Sequence, residues 1–293
     1  RLLVLGGGPI GCELAQCFAR LGSEVTVVEM QPRLLGKEDP EVSELVASCF
    51  RGEGIRVLTG HTAKRVEYED GTRFLICGHG ESEIRVEFDE LLCALGRSPA
   101  TQGLGLEALG VGLTRSGALE VDDYARTRVP TIFACGDVTG GYQSTHTAAH
   151  AAWYATVNAL FGRLRKFRID QSVIPWCTFT DPEVARVGLN EIEAIERHIP
   201  YESSVYRMEE LDRAITDEAA QGFVKVLTAP GKDRILGATI VAGHAGEMIA
   251  EYVAAMRHGV GLNRILGTIH VYPTFAEANK YAAGAWKRAH APQ

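Results

Sequence analysis

The chain has 293 residues, of which 46% are apolar, and a formal net charge of −7. That length supports two or three domains with cores of their own, and the acidic balance leaves no basic footprint for nucleic acid. No apolar run is long enough to span a bilayer and no signal-peptide pattern opens the chain. Seven scattered cysteines fit a reducing cytoplasm better than a disulfide framework.

The first thirty residues organise the rest of the chain. Leu2 to Leu5 reads as a buried strand, Gly6-Gly-Gly-Pro-Ile-Gly11 as a tight turn, and Val25 to Glu29 as a second buried strand. Between them a helix is expected from about Cys12 to Leu21, with Leu14, Phe18 and Leu21 on its apolar face and Gly22 as its stop. Gly6, Gly8 and Gly11 keep the G-x-G-x-x-G spacing that a diphosphate requires. The first glycine permits the turn, the second lets the anion reach the backbone, and the third lets the helix sit close to the strand. Glu29 ends the second strand, where a carboxylate accepts both hydroxyls of an adenosine ribose and repels a 2′-phosphate. The expected ligand is therefore NADH in preference to NADPH.

A second helix is expected with Asp39 as N-cap, Pro40 in its first turn and a stripe of Val42, Leu45, Val46, Cys49 and Phe50. Ile55 to Leu58 reads as the next parallel strand. Three runs around Val66 to Tyr68, Phe74 to Cys77 and Ile84 to Phe88 read as an antiparallel meander with an Asp70-Gly71 turn. Leu91 to Leu95 returns as a short strand. Beyond it the chain is glycine-rich, with short strands expected at Leu119 to Val121 and Thr131 to Cys135, then an alanine-rich helix from Thr145 to Phe161 and a basic linker from Gly162 to Arg168. The remainder alternates strands (Phe223 to Leu227, Ile235 to Val241) with helices (Gly246 to His258, Pro273 to Arg288), an α+β pattern.

Five separated stretches resemble the pyridine nucleotide-disulfide oxidoreductases, the family of dihydrolipoamide dehydrogenase, glutathione reductase and mercuric reductase. They are Gly6 to Glu13, Ala94 to Pro99, Thr131 to Asp137, Phe179 to Gly188 and Ile269 to Glu277, in the family's order. The resemblance implies an α/β protein in three parts. These are a Rossmann-like NAD-binding domain with its meander (1–98), the C-terminal part of an FAD-binding domain (99–165) and an α+β dimerisation domain (166–293). It also implies an N-terminal FAD half with a redox cysteine pair that this chain does not contain. The chain opens at Arg1 and enters a core strand at once, so a longer parent protein is expected.

By the same resemblance, Gly6, Gly8, Gly11 and Glu29 hold the dinucleotide, and Glu13 sits near the nicotinamide. Gly96 approaches the nicotinamide nucleotide through its backbone. Asp137 binds the FAD ribityl chain, with Gly136 allowing close approach, and the helix from Thr145 aims its positive end at the flavin. His244 to Glu247, with Met248, Ile249, Tyr252 and Val253, matches the family's main interface helix, so a homodimer is expected.

Dithiol members carry a histidine before the Pro-Thr pair; here the position is Tyr272, with Glu277 at the family's glutamate position. A phenol with an ordinary pKa near 10 is a poor base but a competent donor. His270 lies two residues earlier, on the same face if the segment is extended, and could partly substitute. Tyr272, Glu277 and His270 are thus the candidate catalytic residues. The spacing of Cys12 and Cys17 imitates a redox pair, but five positions along a helix lie about 7.5 Å apart along its axis and point in different directions. Both read as packing residues, Cys135 as a buried hydrophobe, and no metal site is expected. The implied activity is an FAD-dependent, NADH-using oxidoreductase passing electrons to a disulfide or related small-molecule acceptor, with this chain alone inactive. The alternatives are a catalytically silent nucleotide-binding or dimerisation module and a flavin NADH oxidase or quinone reductase without dithiol chemistry.

Overall fold

Apolar strands buried on both faces need a cover on each side, and the chain supplies two different ones. A computed structural model describes residues 1–291. Its N-terminal region runs β1 (Leu2–Leu5), α1 (Pro9–Arg20), β2 (Val25–Glu29), α2 (Pro40–Gly52) and β3 (Arg56–Thr59). Then come β4 (Thr62–Glu69), β5 (Thr72–His79), β6 (Ser82–Phe88) and β7 (Glu90–Cys93). β1, β2, β3 and β7 form a parallel sheet in the order β3-β2-β1-β7, while β4, β5 and β6 form the expected antiparallel meander. Side chains alternate across a strand. Val4 and Val27 therefore pack with Cys12, Ala15, Val42, Val46 and Phe50 of the helices, while Leu3 and Val28 pack with Leu75, Cys77, Val86 and Phe88 of the meander.

The apolar face of α1 differs from the one expected. Its buried residues are Gly11, Cys12, Ala15 and Gln16, whereas Phe18 is exposed and Leu21 is 76% exposed. The glycine turn brings the start of the helix close to β1, so small residues line that contact, and Gln16 is buried by its bonds to Asp181. Gly22, at φ +99°, ends the helix as expected.

Residues 96–174 form a second compact unit. It contains one long helix, α3 (Thr145–Phe161), with little sheet. Leu119 to Val121 and Thr131 to Cys135, expected as strands, carry only the isolated bridges Leu113–Leu119 and Arg126–Phe133. Ala134 N–H donates to Ala125 O at 2.9 Å across the Arg126–Phe133 bridge, while Ile132 N–H closes a turn on Val129 O at 2.9 Å, so the pairing goes no further. An apolar run becomes a strand only when a neighbour pairs with it. The small core here is Val111, Leu119 and Ala134, and Asn158 pins the linker by bonding the Phe167 N–H (2.8 Å) and Phe167 O (2.8 Å).

From Pro175 onward the chain rejoins the first unit. The elements are β8 (Pro175–Thr178), β9 (Glu183–Gly188), α4 (Glu191–Glu196), β10 (Glu202–Arg207), α5 (Asp212–Thr216), β11 (Phe223–Thr228), β12 (Ile235–Ala242), α6 (Ala245–Arg257), α7 (Leu262–Leu266) and α8 (Glu277–Ala289). The strands make one antiparallel sheet, order β10-β11-β12-β9-β8. The four-residue strand β8 and the helices α4, α5 and α7, each of one or two turns, are too short for alternation or a helical period to show. Met248, Ile249 and Tyr252 are buried on the α6 face that packs on this chain's own sheet, and Trp286 is buried and stacked on His290.

The N-terminal and C-terminal regions share a core, since Val184, Phe223 and Val241 pack into the cluster beneath α1 and α2. Polar ties reinforce it. Arg20 makes a two-pronged bond to Glu53 (2.9 and 2.7 Å) and reaches Asp181 at 2.8 Å, and the guanidinium holds the Glu53 carboxyl below its usual range. Such a folded-state depression contributes stability above the unfolded pKa and loses it as pH falls through the folded one. Arg20→Met is expected to cost less than about 1 kcal/mol at pH 7, because the pair is partly exposed. The deficit should fade below about pH 4.3, as read from urea midpoints across acid pH.

Candidate functional site

The glycine turn lies where β1 meets β7, the point at which the sheet order reverses and ligands of such sheets bind. Gly6 is at φ +110°, and a Cβ there would meet Ala94 O at 2.5 Å. A Cβ at Gly11 would meet Gly6 O at 1.9 Å, so the third glycine is demanded by the close approach of α1 to the turn. Gly8 is different: a Cβ built there meets nothing within 4 Å. The protein itself gives no reason for a glycine at that position, and the open space lies over the start of α1, which carries no side-chain cap and no acid in its first turn. An open, uncapped helix start of this kind has backbone N–H groups free to meet an anion.

Glu29 closes the cradle. Its carboxylate accepts from Gly7 N–H at 2.6 Å and from Gln31 N–H at 2.6 Å. Two backbone donors aim it at the loop, with lone pairs left over for hydroxyl donors. Gly7 lies outside the fingerprint spacing, yet its amide orients the acid, and a Cβ on it would run into Leu34 at 2.6 Å and Glu29 at 3.0 Å. The signal for it is the unbroken Gly6-Gly7-Gly8 run.

Cys12 lies beneath this turn, with its thiol donating to Gly7 O at 3.3 Å. Burial, then the nearby Glu29, pushes its pKa up to about 12. Cys17 is exposed and is not a packing residue. Iodoacetamide labelling of the native protein, read by peptide mass spectrometry, is expected to modify Cys17 and Cys93 within minutes and to leave buried Cys12 and Cys77 untouched until unfolding.

Glu13 points from α1 to the C-terminal sheet, where its carboxylate accepts from Phe179 N–H at 2.8 Å. Gln16 holds the next turn by bonding the Asp181 N–H (2.7 Å) and Asp181 O (2.9 Å). In the second unit, Gly96 has φ +122° and no neighbour within 4 Å of a built Cβ. Gly136 has φ +77°, and its missing Cβ would crowd Ala148 at 3.1 Å, so α3 packs against the turn that carries Asp137. Asp137 is half-exposed and has one long contact, 3.5 Å to Arg97. Arg97 in turn donates to Gln143 O at 2.9 Å. A carboxylate with free lone pairs beside an uncapped helix start suits the hydroxyl-rich chain of a flavin dinucleotide.

The three C-terminal candidates are not one cluster. Tyr272 and Glu277 line a cavity of about 200 Å³ with Tyr206, Glu210, Asp212 and Tyr281. Tyr272 donates to Asp212 at 3.0 Å, a bond that raises its pKa, while burial and then Glu210 push Tyr206 up to about 12. Glu277 is buried and accepts from Thr274 N–H at 3.1 Å and Tyr281 O–H at 3.3 Å, so it caps the approach to α8. That start also explains why α8 begins at Glu277 and not at Pro273. His270 turns the other way. Its Nε2 lies 3.0 Å from Glu251, and its side chain is almost fully buried. Residues 267–276 form no strand, so the period-two expectation that His270 and Tyr272 share a face does not apply.

Asp39 starts α2 by position, yet its carboxylate does not cap that helix. It accepts from Glu191 N–H (3.3 Å) and Ile192 N–H (3.2 Å) of α4 and pairs with Lys225 at 2.6 Å. Asp39, Glu41 and Glu191 are close enough to share a metal ion. The Lys225 ammonium bonds all three, so an internal cation occupies their centre.

Two family descriptions match this chain: pyridine nucleotide-disulphide oxidoreductase over residues 1–152 and the corresponding dimerisation domain over residues 174–283. A mercuric reductase of Acidithiobacillus ferrooxidans is 37% identical over 288 residues, covering 98% of this chain and 51% of the relative. A dihydrolipoyl dehydrogenase of Chlamydia muridarum is 35% identical over 277 residues, covering 94% and 58%. The HOCl-induced flavoprotein disulfide reductase RclA of Escherichia coli, solved as a Cu(II) complex of its C43S mutant, superposes with a TM-score of 0.89 at 28% identity. That match covers 97% of this chain and 63% of the solved one. The chain thus spans about half the length of the curated relatives it matches. Among the described residues no helix is long and apolar enough to cross a membrane. With the glycine cradle at the sheet's reversal point and both family descriptions in register with the fold, the chain belongs to the pyridine nucleotide-disulphide oxidoreductase family.

Proposed function

We propose that the protein is an FAD-dependent, NADH-using oxidoreductase of the cytoplasm, acting as a homodimer on a disulfide or related small-molecule acceptor. The observation that carries this reading is the open space over Gly8 beside a carboxylate held by two backbone amides. In this reading, the first turn of α1 binds the diphosphate through its free N–H groups, and Glu29 accepts the adenosine ribose hydroxyls. Gly96 leaves its backbone open to the nicotinamide end, Glu13 stands one helical turn beyond the diphosphate, and Asp137 takes hydroxyls of the flavin's ribityl chain. Bound FAD would supply the two-electron chemistry, from dihydronicotinamide to the acceptor. Tyr272 and Glu277 serve the acceptor side, together with the residues around their cavity.

The raised pKa of Tyr272 favours a second reading of the acceptor. A phenol that keeps its proton at neutral pH donates and does not abstract. That suits a flavin NADH oxidase or quinone reductase, which needs no base for a dithiol.

These 293 residues alone are expected to bind NADH without turning it over. Fluorescence titration of the chain with NADH and NADPH tests the cradle. We expect NADH to bind at least about tenfold more tightly, and Glu29→Ser to erase that preference, since a lone charge facing a phosphate costs on the order of 1–2 kcal/mol. Equal binding of the two dinucleotides by the unmodified chain would remove the assignment of Glu29. On the acceptor side, turnover of the flavin-loaded protein with a disulfide and with a quinone separates the two readings.

A further inference from the structure

The segment joining α7 to α8 is inverted relative to ordinary packing. Ile269 is 93% exposed, Val271 74% and Tyr272 66%, while His270 between them is tucked inside. Among the described residues no ladder holds this segment, so its course depends on side-chain bonds. His270 Nε2 lies 3.0 and 3.1 Å from the two carboxylate oxygens of Glu251 on α6, and its Nδ1 lies 3.2 Å from Thr268 O. Asn279 on α8 is fully buried. It donates through Nδ2 to Glu251 Oε2 at 3.0 Å and to Met248 O at 3.0 Å. Glu251 is therefore bridged to two elements at once. On the far side of the segment, Thr274 donates through its hydroxyl to Val271 O at 2.6 Å, and Tyr272 reaches Asp212.

We propose that Glu251, steadied by Asn279, is a positioning residue that clamps His270 and thereby fixes the 268–274 segment with Tyr272 and its apolar neighbours facing outward. His270 in this arrangement is an anchor with both ring nitrogens engaged. It is not a free proton acceptor. The bond to Glu251 ties a largely buried ring to α6, and here it replaces the missing ladder. The consequence for turnover rests on the reading that Tyr272 serves the acceptor; the clamp itself does not.

Native-state amide hydrogen exchange tests it, with the peptide over 268–274 compared with the one over β11 as internal control. Glu251→Ala and His270→Ala should each speed exchange in 268–274 by about tenfold or more while leaving β11 unchanged. The double variant should be no faster than either single one, because the two residues act through one bond. Glu251→Gln, which keeps an acceptor for the ring, should restore most of the protection. Unchanged exchange in 268–274, or additive effects in the double variant, would overturn the clamp. If exchange rises as expected but tetranitromethane modifies Tyr272 at an unaltered rate, the clamp does not set the tyrosine's position and the proposal also fails. A Tyr272→Phe protein with full acceptor turnover would instead remove the acceptor reading and leave the exchange result standing.

Discussion

Gly11→Ala and Gly8→Ala are expected to fail in opposite ways. A methyl at Gly11 would lie 1.9 Å from Gly6 O, a backbone atom in a turn whose own position is set by Ala94. The helix must retreat from the sheet, at a cost of about 2–3 kcal/mol, and the amides of its first turn leave the diphosphate position with it. A methyl at Gly8 meets no protein atom within 4 Å, and its φ of −77° suits alanine. The stability change there should stay within about 1 kcal/mol, the scale of a changed N-cap. NADH affinity, however, should fall by a factor of about 30 or more, because the methyl occupies the space kept for the anion. Urea denaturation and NADH titration of the two variants, run side by side, make the comparison. If Gly8→Ala binds NADH as the unmodified chain does, the open space is not a ligand's.

Lys225→Met should give the largest loss of stability in the C-terminal sheet. Lys225 sits in the middle of β11, a strand buried at every position, and its ammonium bonds Asp39 at 2.6 Å, Glu191 at 2.8 Å and Glu41. Removing it leaves a fully buried Asp39 and two further carboxylates facing one another without a counterion. Breaking a buried ion pair by deleting one partner costs about 3–5 kcal/mol, and thermal or urea unfolding reads this directly. Burial alone would lower the lysine's pKa, but its three carboxylate bonds outweigh that and raise it. A raised folded-state pKa means that the contribution is fully present below the unfolded value, near 10.4, and is lost only as pH rises through the folded one. The deficit of the variant should therefore be flat from pH 6 to 9. A loss below about 1 kcal/mol would show that water reaches the cluster and screens it.

The cluster also explains what joins the two ends of the chain. Asp39 was legible as a helix N-cap because Asp-Pro opens an apolar stripe. Its carboxylate is spent elsewhere, on the first turn of α4 and on Lys225, and no local pattern could announce a partner that lies 186 positions further on. Arg186 is similar. It lies buried within the apolar strand β9, paired with Glu38 at 2.9 Å and Glu193 at 2.9 Å and stacked over Trp176. No local pattern marks Glu38 and Arg186 as partners. Together they are a core.

Several features needed nothing but the sequence. The strand–turn–helix–strand unit of residues 2–29, the meander with its Asp70-Gly71 turn and the long helix of Thr145–Phe161 are legible from local spacing, because glycine positions, alternation and helical period are written within one element; the family is legible only through the resemblance of five separated stretches to its motifs. Tertiary structure alone decided which face of α1 is buried, that Thr131 to Cys135 pairs through a single isolated bridge and not as a full strand, and that the N-terminal sheet and the C-terminal sheet share a core. It also decided that His270 turns inward to Glu251 while Tyr272 turns out to Asp212. The physical reason is the same in each case. Whether a side chain is buried, paired or free depends on atoms that arrive from distant parts of the chain, and burial of a charge is tolerable only where such an atom meets it.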